Sequence, residues 1–376
     1  MASIYAAQPS PVRAVCTVAV AVVAAALAGL MSGCNQRPES GDTPAASPVA
    51  TAAVDQGELC RRIEAVLAHA RDARRLDAAV HGAWQVVHGI LAFGPDFPLR
   101  HDGTESSALD YLLDGGRLTG FSLRAGSPGV VAVVEEGSTT GQGHPDQWLG
   151  YLAQCGRRGI PRDTKLVVGG KAFTVGDLLT QAQADIRPGQ EATWTLMALS
   201  AYLPTDASWT AGDGERWTTE RVVAMEADAD IFSSACGGAH RLYGLATALA
   251  KHCQATGRTP AECTGGWEAA ADVIEECIDR ARRFQQADGS FSIHSFERPG
   301  TSPDVFARLS ATGHVFEVLA LALDAAGRAE PWVVRAAAGL TTLLEQTSDV
   351  DVECGALYHA IHGLLLYKQR VCRSIE

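Results

Sequence analysis

Positive charge is scarce in this chain: Lys and Arg number 31 against 43 Asp and Glu, the formal net charge is −12, and no basic run occurs. A nucleic-acid partner is excluded on that ground, since binding to a phosphate backbone rests on clustered cations. Aromatic residues make up only 6% of the sequence, too few to line a cavity that holds a carbocation on π faces. The ten cysteines include no Cys-x2-Cys pair, so the spacing that marks a zinc finger is absent as well.

What is present begins with an apolar run. Residues 1–13 carry one charge, Arg13, and residues 14–31 are almost uninterrupted apolar side chains leading to Ser-Gly-Cys34. That is the pattern of a secretion signal. Its ending resembles a bacterial lipobox, with Met31 where Leu is usual, which implies cleavage before Cys34, a lipid on its sulfur and attachment to the membrane of the cell envelope, on its periplasmic or outer-membrane face. Residues 1–34 are therefore read as a lipoprotein signal peptide. Residues 35–55, rich in Pro, Ser, Ala and Thr with almost no large apolar side chain, are read as a disordered tether. Residues 56–376 then form one domain. Setting Cys16 and Cys34 aside leaves eight cysteines in an exported chain, where disulfides persist, and Cys253 and Cys263, bracketing a turn-rich loop, are the expected bridge.

Within the domain one short pattern recurs. In Cys236-Gly-Gly-Ala-His240, Leu242, Leu245, Ala246 and Leu249 follow at i, i+3, i+4 and i+7, one apolar helix face, while His240 and Tyr243 share a polar one. His314 with Glu317, and Cys354 with His359 and His362, repeat the arrangement, and the stretch from His81 to His88 carries an earlier copy. Recurrence of a helix start at such intervals marks stacked helical units. Periodicity and stop signals predict helices over 58–76, 78–93, 109–113, 175–185, 191–203, 217–227, 268–284 and 331–345, a loop over 95–108, and β-hairpins within 121–136 and 165–174. The fold class is mainly α, helical hairpins with small β-hairpin insertions in the first half.

Gln285-x3-Gly289-x-Phe291, between a helix and the His314 helix, resembles the repeat motif of the terpenoid-cyclase and protein-prenyltransferase superfamily, with Phe where Trp is usual. The resemblance covers residues 190–370 best and implies an α/α toroid with a central cavity, in which the glutamine caps a helix end and the aromatic stacks on it. A second stretch, from His144 through Glu191 to His240, resembles uncharacterised bacterial exported proteins, some labelled ADP-ribosylation-factor-directed GTPase activators. That label implies a four-cysteine zinc finger, which is absent here.

Polar residues repeated on apolar helices cost stability unless they serve a purpose. His240, Tyr243, His314, Glu317, His359 and His362 are thus expected to line a cavity for a small-molecule, glycan or isoprenoid-like ligand. Sulfur and imidazole at helix starts suit zinc: Cys236, His240, His314, Cys354, His359 and His362 are candidates, and Asp351, Cys354 and His359 supply the residue types of the prenyltransferase site, though not its spacing. Glu317, Asp230, Glu191, Asp351 and Glu353 are the carboxylates available for acid and base work on a glycan. The alternative is an envelope scaffold without chemistry, its cavity plugged by large side chains.

Overall fold

The computed structural model describes residues 54–156 and 159–372. The leader expected over 1–34, its lipid site Cys34 and most of the expected tether lie outside these residues. Residues Ala52–Glu376 belong to one unit, and its first helix starts where the tether was expected to end: Asp55 accepts the N–H of Glu58 at 2.9 Å and caps α1 (Gln56–Ala73).

The chain is mainly helical. After α1 come β1 (Leu76–Asp77), α2 (Ala83–Phe93), β2 (Pro98–His101), β3 (Thr104–Ser107) and α3 (Ala108–Leu113). Next are β4 (Leu123–Ala125), β5 (Val130–Ala132), α4 (Gln147–Gln154), β6 (Lys165–Val168), β7 (Lys171–Thr174), α5 (Val175–Asp185) and α6 (Thr193–Tyr202). Then follow β8 (Ser208–Thr210), β9 (Arg216–Thr218), α7 (Thr219–Asp228), α8 (Ala239–Thr256) and α9 (Gly266–Phe284). The chain continues through α10 (Val305–Ala322), α11 (Ala325–Arg328), α12 (Pro331–Gln346) and α13 (Cys354–Val371).

The helices fall into two kinds, for reasons visible in their sequences. α1 and α9 bury single stripes, Leu59, Ile63, Leu67 and Ala70 in one and Trp267, Ala270, Ile274, Cys277 and Ala281 in the other, as covering helices do. By contrast α6, α10 and α13 are buried nearly all round, over Thr193–Ser200, Ala311–Ala320 and Gly355–Leu364. These core helices pack in chain order: α2 on α4, α4 on α6, α6 on α8, α8 on α10, α10 on α13, and α13 back on α2. The covering helices lie beside them, α5 on α4 and α6, α7 on α6 and α8, α9 on α8, α12 on α10 and α13, and α1 on α12 and α13.

Side-chain ties fix the helix starts. Glu226 of α7 accepts the Ala192 N–H at 2.8 Å and the Thr193 hydroxyl at 2.7 Å, and pairs with Arg241 of α8 at 2.8 Å. Glu353 caps α13 through the N–H groups of Gly355 and Ala356 and accepts from the Trp84 indole of α2 at 3.1 Å. α10 and α13 approach each other closely. A Cβ on Gly313 would lie 2.9 Å from Ala360 Cα, and one on Gly363 would lie 3.1 Å from Glu317 Cα. Only glycine lets those backbones meet so closely.

The β-hairpins expected within 121–136 and 165–174 are present as β4–β5 and β6–β7. Two more were missed. Residues 95–108, expected as loop, hold β2 and β3, paired antiparallel with β1 added in parallel; Trp217, expected in a helix, belongs to β9, paired with β8. Asp102-Gly103 and Asp213-Gly214, the Asp-Gly signal of a hairpin turn, lie between the paired strands. Three of the four hairpins run straight into a helix, whose cap is the strand's last residue: Ser107, Thr174 and Thr218.

At the end of α9, Gln285 donates to the carbonyls of Gly289 and Trp332, at 3.2 and 2.8 Å, and accepts from Arg335 at 3.0 Å. It therefore ties α9 to the start of α12. Phe291 is buried and meets the Trp332 ring edge-on, with centroids 6.3 Å apart.

The disulfide differs from the one expected. Cys60 of α1 is bonded to Cys372, 312 residues later. Cys253 and Cys263 are free, with sulfurs 3.9 Å apart, a contact distance rather than a bond of ~2.05 Å.

Candidate metal centre

Cys236 lies in a 3₁₀ turn (Ala235–Gly238) just before α8, with φ 53°, in the left-handed region that side chains other than Gly, Asn and Asp seldom occupy. His240 stands in the first turn of α8. His314 is not at a helix start as expected: α10 begins at Val305, so His314 lies midway along it. The close α10–α13 packing brings His359 into the same place, with ring centroids 4.4 Å from His314 and 4.7 Å from His240. Trp194 of α6 closes one side, 5.1 Å from the His240 ring.

Hydrogen bonds determine where each imidazole keeps its proton, because carbonyls and carboxylates can only accept. His314 Nδ1 donates to the Ser310 carbonyl at 2.8 Å, so in the neutral ring the lone pair is on Nε2. Glu317 holds two rings at once, accepting from His359 Nδ1 at 2.9 Å and from His362 Nδ1 at 2.5 Å. His359 Nε2 therefore carries a lone pair. It lies 3.1 Å from His240 Nε2, which must supply the proton. The lone pair of His240 is thereby forced onto Nδ1, which is buried and has no hydrogen-bond partner.

Among the described residues, the one group of cysteine, histidine and carboxylate donors that converges is Cys236, His240 and His314, whose ligand atoms lie within 4.8 Å of one another. Cys236 is its exposed member; the histidines are buried. Burial pushes His240 down to about 4 and lowers His359 too. For His314 burial acts in the same direction, but the Cys236 sulfur outweighs it and raises the ring to about 9. Although the residue as a whole is exposed, the atoms packed round the Cys236 sulfur oppose its ionisation, and the two imidazoles overcome this, holding the thiol well below its ordinary range. Glu317 is held well below the usual carboxylate range, burial being outweighed by His359 and His362. The centre thus presents a thiolate beside a protonated His314 and a neutral His240, and His314 offers its Nε2 to a metal only on giving up that proton. Sulfur and two nitrogens, with no fourth donor among the described residues, match the donor set of a zinc site with one position left open, and the Glu317–His359–His240 chain is the kind of outer-shell support that fixes a ligand's tautomer.

The metal ligands suggested by the prenyltransferase resemblance do not assemble. Asp351 is exposed ahead of α13, Cys354 donates its thiol proton to Glu353 at 3.5 Å, and His359 points to Glu317 instead. The other acids proposed for glycan chemistry are each committed elsewhere: Glu191 to His144 at 2.7 Å, Asp230 to the N–H of Phe232 at 3.0 Å, Glu353 to the α13 cap. Tyr243 and His362 lie further along α8 and α13, ring centroids 6.1 Å apart. They line a cavity of about 870 Å³ that does not touch His240, His314 or Glu317. The sequence reading gave no role to His88 and Tyr151, which flank the centre. His88 donates to the Trp84 carbonyl at 2.7 Å and accepts from the Tyr151 hydroxyl at 3.1 Å; the signal was its place in the earliest repeat copy.

Away from this group, Asp146 precedes α4 with φ 57° and accepts from the Thr195 hydroxyl at 2.5 Å. Burial pushes it up from 3.8 to about 6, against that hydrogen bond and with the Asp185 charge adding to the rise. Between those two values the folded state keeps a proton that the unfolded chain releases, so this group's contribution to stability falls as pH rises through the window. Asp146→Asn, which tolerates the left-handed backbone, is expected to raise the melting temperature above about pH 6 and leave it unchanged below about pH 4. Parallel melting profiles for the two proteins would contradict this.

No protein-family model, no curated protein and no solved structure matches the chain.

Proposed function

We propose that this is an exported, lipid-anchored α/α-toroid enzyme of the cell envelope whose catalytic centre is a zinc ion held by Cys236, His240 and His314, acting on a small carbonyl-bearing or glycan substrate by metal-assisted hydrolysis. The observation that carries this reading is the convergence of the Cys236 sulfur, His240 and His314, whose ligand atoms lie within 4.8 Å of one another, with His240 Nδ1 buried and given no oxygen or nitrogen partner. A nitrogen left so would cost about 1–3 kcal/mol with nothing in return. The ring is supported by the cyclic order in which α2, α4, α6, α8, α10 and α13 pack. Export is supported by the apolar run ending at Cys34 and by the Cys60–Cys372 bridge, which suits an oxidising compartment.

In this reading the chain's residues divide the work. Zinc would polarise a substrate oxygen and lower the pKa of bound water. Cys236, as the exposed ligand, marks the side from which substrate and water arrive. Glu317 and His359 keep His240 in the ligating tautomer, and the Ser310 carbonyl does the same for His314. A scaffold without chemistry would have no use for three aligned donors.

Zinc is expected at one per chain, measured by native mass spectrometry and elemental analysis of protein purified from the envelope, and Cys236→Ser and His314→Ala should each lose it. Cobalt exchanged into the site should give a thiolate charge-transfer band that Cys236→Ser removes. Wild-type protein that binds neither metal would sink the proposal. Rapid alkylation of Cys236 in such protein would indicate a thiolate nucleophile paired with His314 instead.

A further inference from the structure

The cavity reached by Tyr243 and His362 is lined by the C-terminal portions of the core helices, and its volume of about 870 Å³ is that of a small-molecule site. Its charge is unlike that of the rest of the chain. In a protein with 43 acidic residues against 31 basic ones, no Asp or Glu lines it, whereas Arg71, Lys251 and Arg370 do. None of the three belongs to an ion pair among the described residues.

Two of these cations are held in place by helix ends. Lys251 Nζ donates to the carbonyls of Ser200 and Leu203, the latter at 2.9 Å, and Arg370 Nη1 donates to those of Ala320 and Leu321 at 2.7 and 2.8 Å. Such contacts offset the negative ends of α6 and α10. They do not exhaust the donors: one N–H of the ammonium and the Nε and Nη2 side of the guanidinium remain. Burial lowers both groups without a carboxylate to restore them. His362, its Nδ1 tied to Glu317, keeps Nε2 for a ligand. The wall also carries the apolar side chains Leu91, Phe93, Met197, Leu321, Leu365 and Leu366, interspersed with polar ones such as Gln154, Thr247, Gln254 and Gln369.

We infer that this cavity binds an amphiphile with a single anionic head, carboxylate or phosphate, its head taken by Arg71, Lys251 and Arg370 and its hydrocarbon body laid on the leucine and phenylalanine wall. Cations with no carboxylate partner among the described residues, beside leucine and phenylalanine side chains, match both parts of such a molecule. The inference rests on the cavity alone and stands whether or not the centre at Cys236 binds zinc.

Calorimetric titration of the intact protein with dodecanoate, dodecyl phosphate, inorganic phosphate and dodecyltrimethylammonium, each below its micelle concentration, tests it. The two anionic amphiphiles should bind, their affinity falling as salt rises, and the other two should not. Dodecanoate and dodecyl phosphate together show which head is preferred. Arg71→Ala and Lys251→Met should each weaken binding by about tenfold, with metal content unchanged. Arg71 is exposed, so its variant remains informative if Lys251→Met fails to fold. Equal binding of the cationic surfactant, binding of inorganic phosphate as tight as that of dodecyl phosphate, or full affinity in Arg71→Ala would each overturn the assignment.

Discussion

Cys60→Ser is expected to lower the stability of the folded domain by about 4–5 kcal/mol, because the Cys60–Cys372 bridge closes a loop of 312 residues and the entropy it removes from the unfolded chain grows with loop length. For a domain of this size that corresponds to a fall of roughly 5–8 °C in melting temperature. The bridge is not the sole tie that holds α1 to the last helices. Lys368 of α13 pairs with Glu64 of α1 at 2.7 Å, and Arg62 of α1 bonds Glu345 of α12 at 2.9 Å. Both pairs are partly exposed, and such pairs are worth at most about 1 kcal/mol each. A reductant should therefore lower the melting temperature of the wild type as far as the mutation does, and leave the Cys60→Ser/Cys372→Ser protein unmoved. A wild type indifferent to reductant would mean that packing alone holds α1 in place.

Glu317→Ala should be the other severe change. The carboxylate is 2% exposed and satisfies two buried imidazole N–H groups; its removal strands both, and breaking such a buried network costs about 3–5 kcal/mol. A tolerant site at Glu317, natural for a residue lining an open cavity, is not what the structure holds. The substitution also frees His359 to move its proton to Nε2, which reverses the donor order along His359 and His240 and takes the lone pair from His240 Nδ1. Urea midpoints should drop and zinc content should fall together. Glu317→Gln, which keeps one acceptor, should lose less of each. A double-mutant cycle with His359→Ala should show strong coupling; additive effects would rule out the relay.

Much of this was legible from residues whose roles are local. α5 and α9 stand almost where periodicity and stop signals put them, because each hides one stripe and exposes the rest. His240, His314 and His359 were recognisable as equivalent members of a repeat, and they do converge. What the sequence could not show depended on approach between distant backbones. Gly313 and Gly363 look like ordinary helix defects until α10 and α13 are seen to touch there, and that contact places Glu317 between His359 and His362. The set Asp351, Cys354 and His359 misled because Cys354 and His359, five residues apart, face directions about 140° apart on one helix. Cys236 joins His240 only through its left-handed turn, which no helical spacing encodes. The Cys253–Cys263 expectation failed in a similar way: nearness in sequence suggested a bond, whereas closure of the helix array put Cys60 beside Cys372.

That closure bears on how the chain can be made. α1 and α2 are synthesised early, yet they pack on α12 and α13, which leave the ribosome last; Arg62 meets Glu345 across 283 residues. These closing contacts span nearly the whole sequence in a fold built from helices, whose usual advantage is local, rapid assembly. Until α13 arrives, the faces of α1, α2 and α10 that it covers are open, and such surfaces invite aggregation and holdase chaperones. A product ended before Cys354 would leave those faces open to proteases rather than give a shorter folded protein.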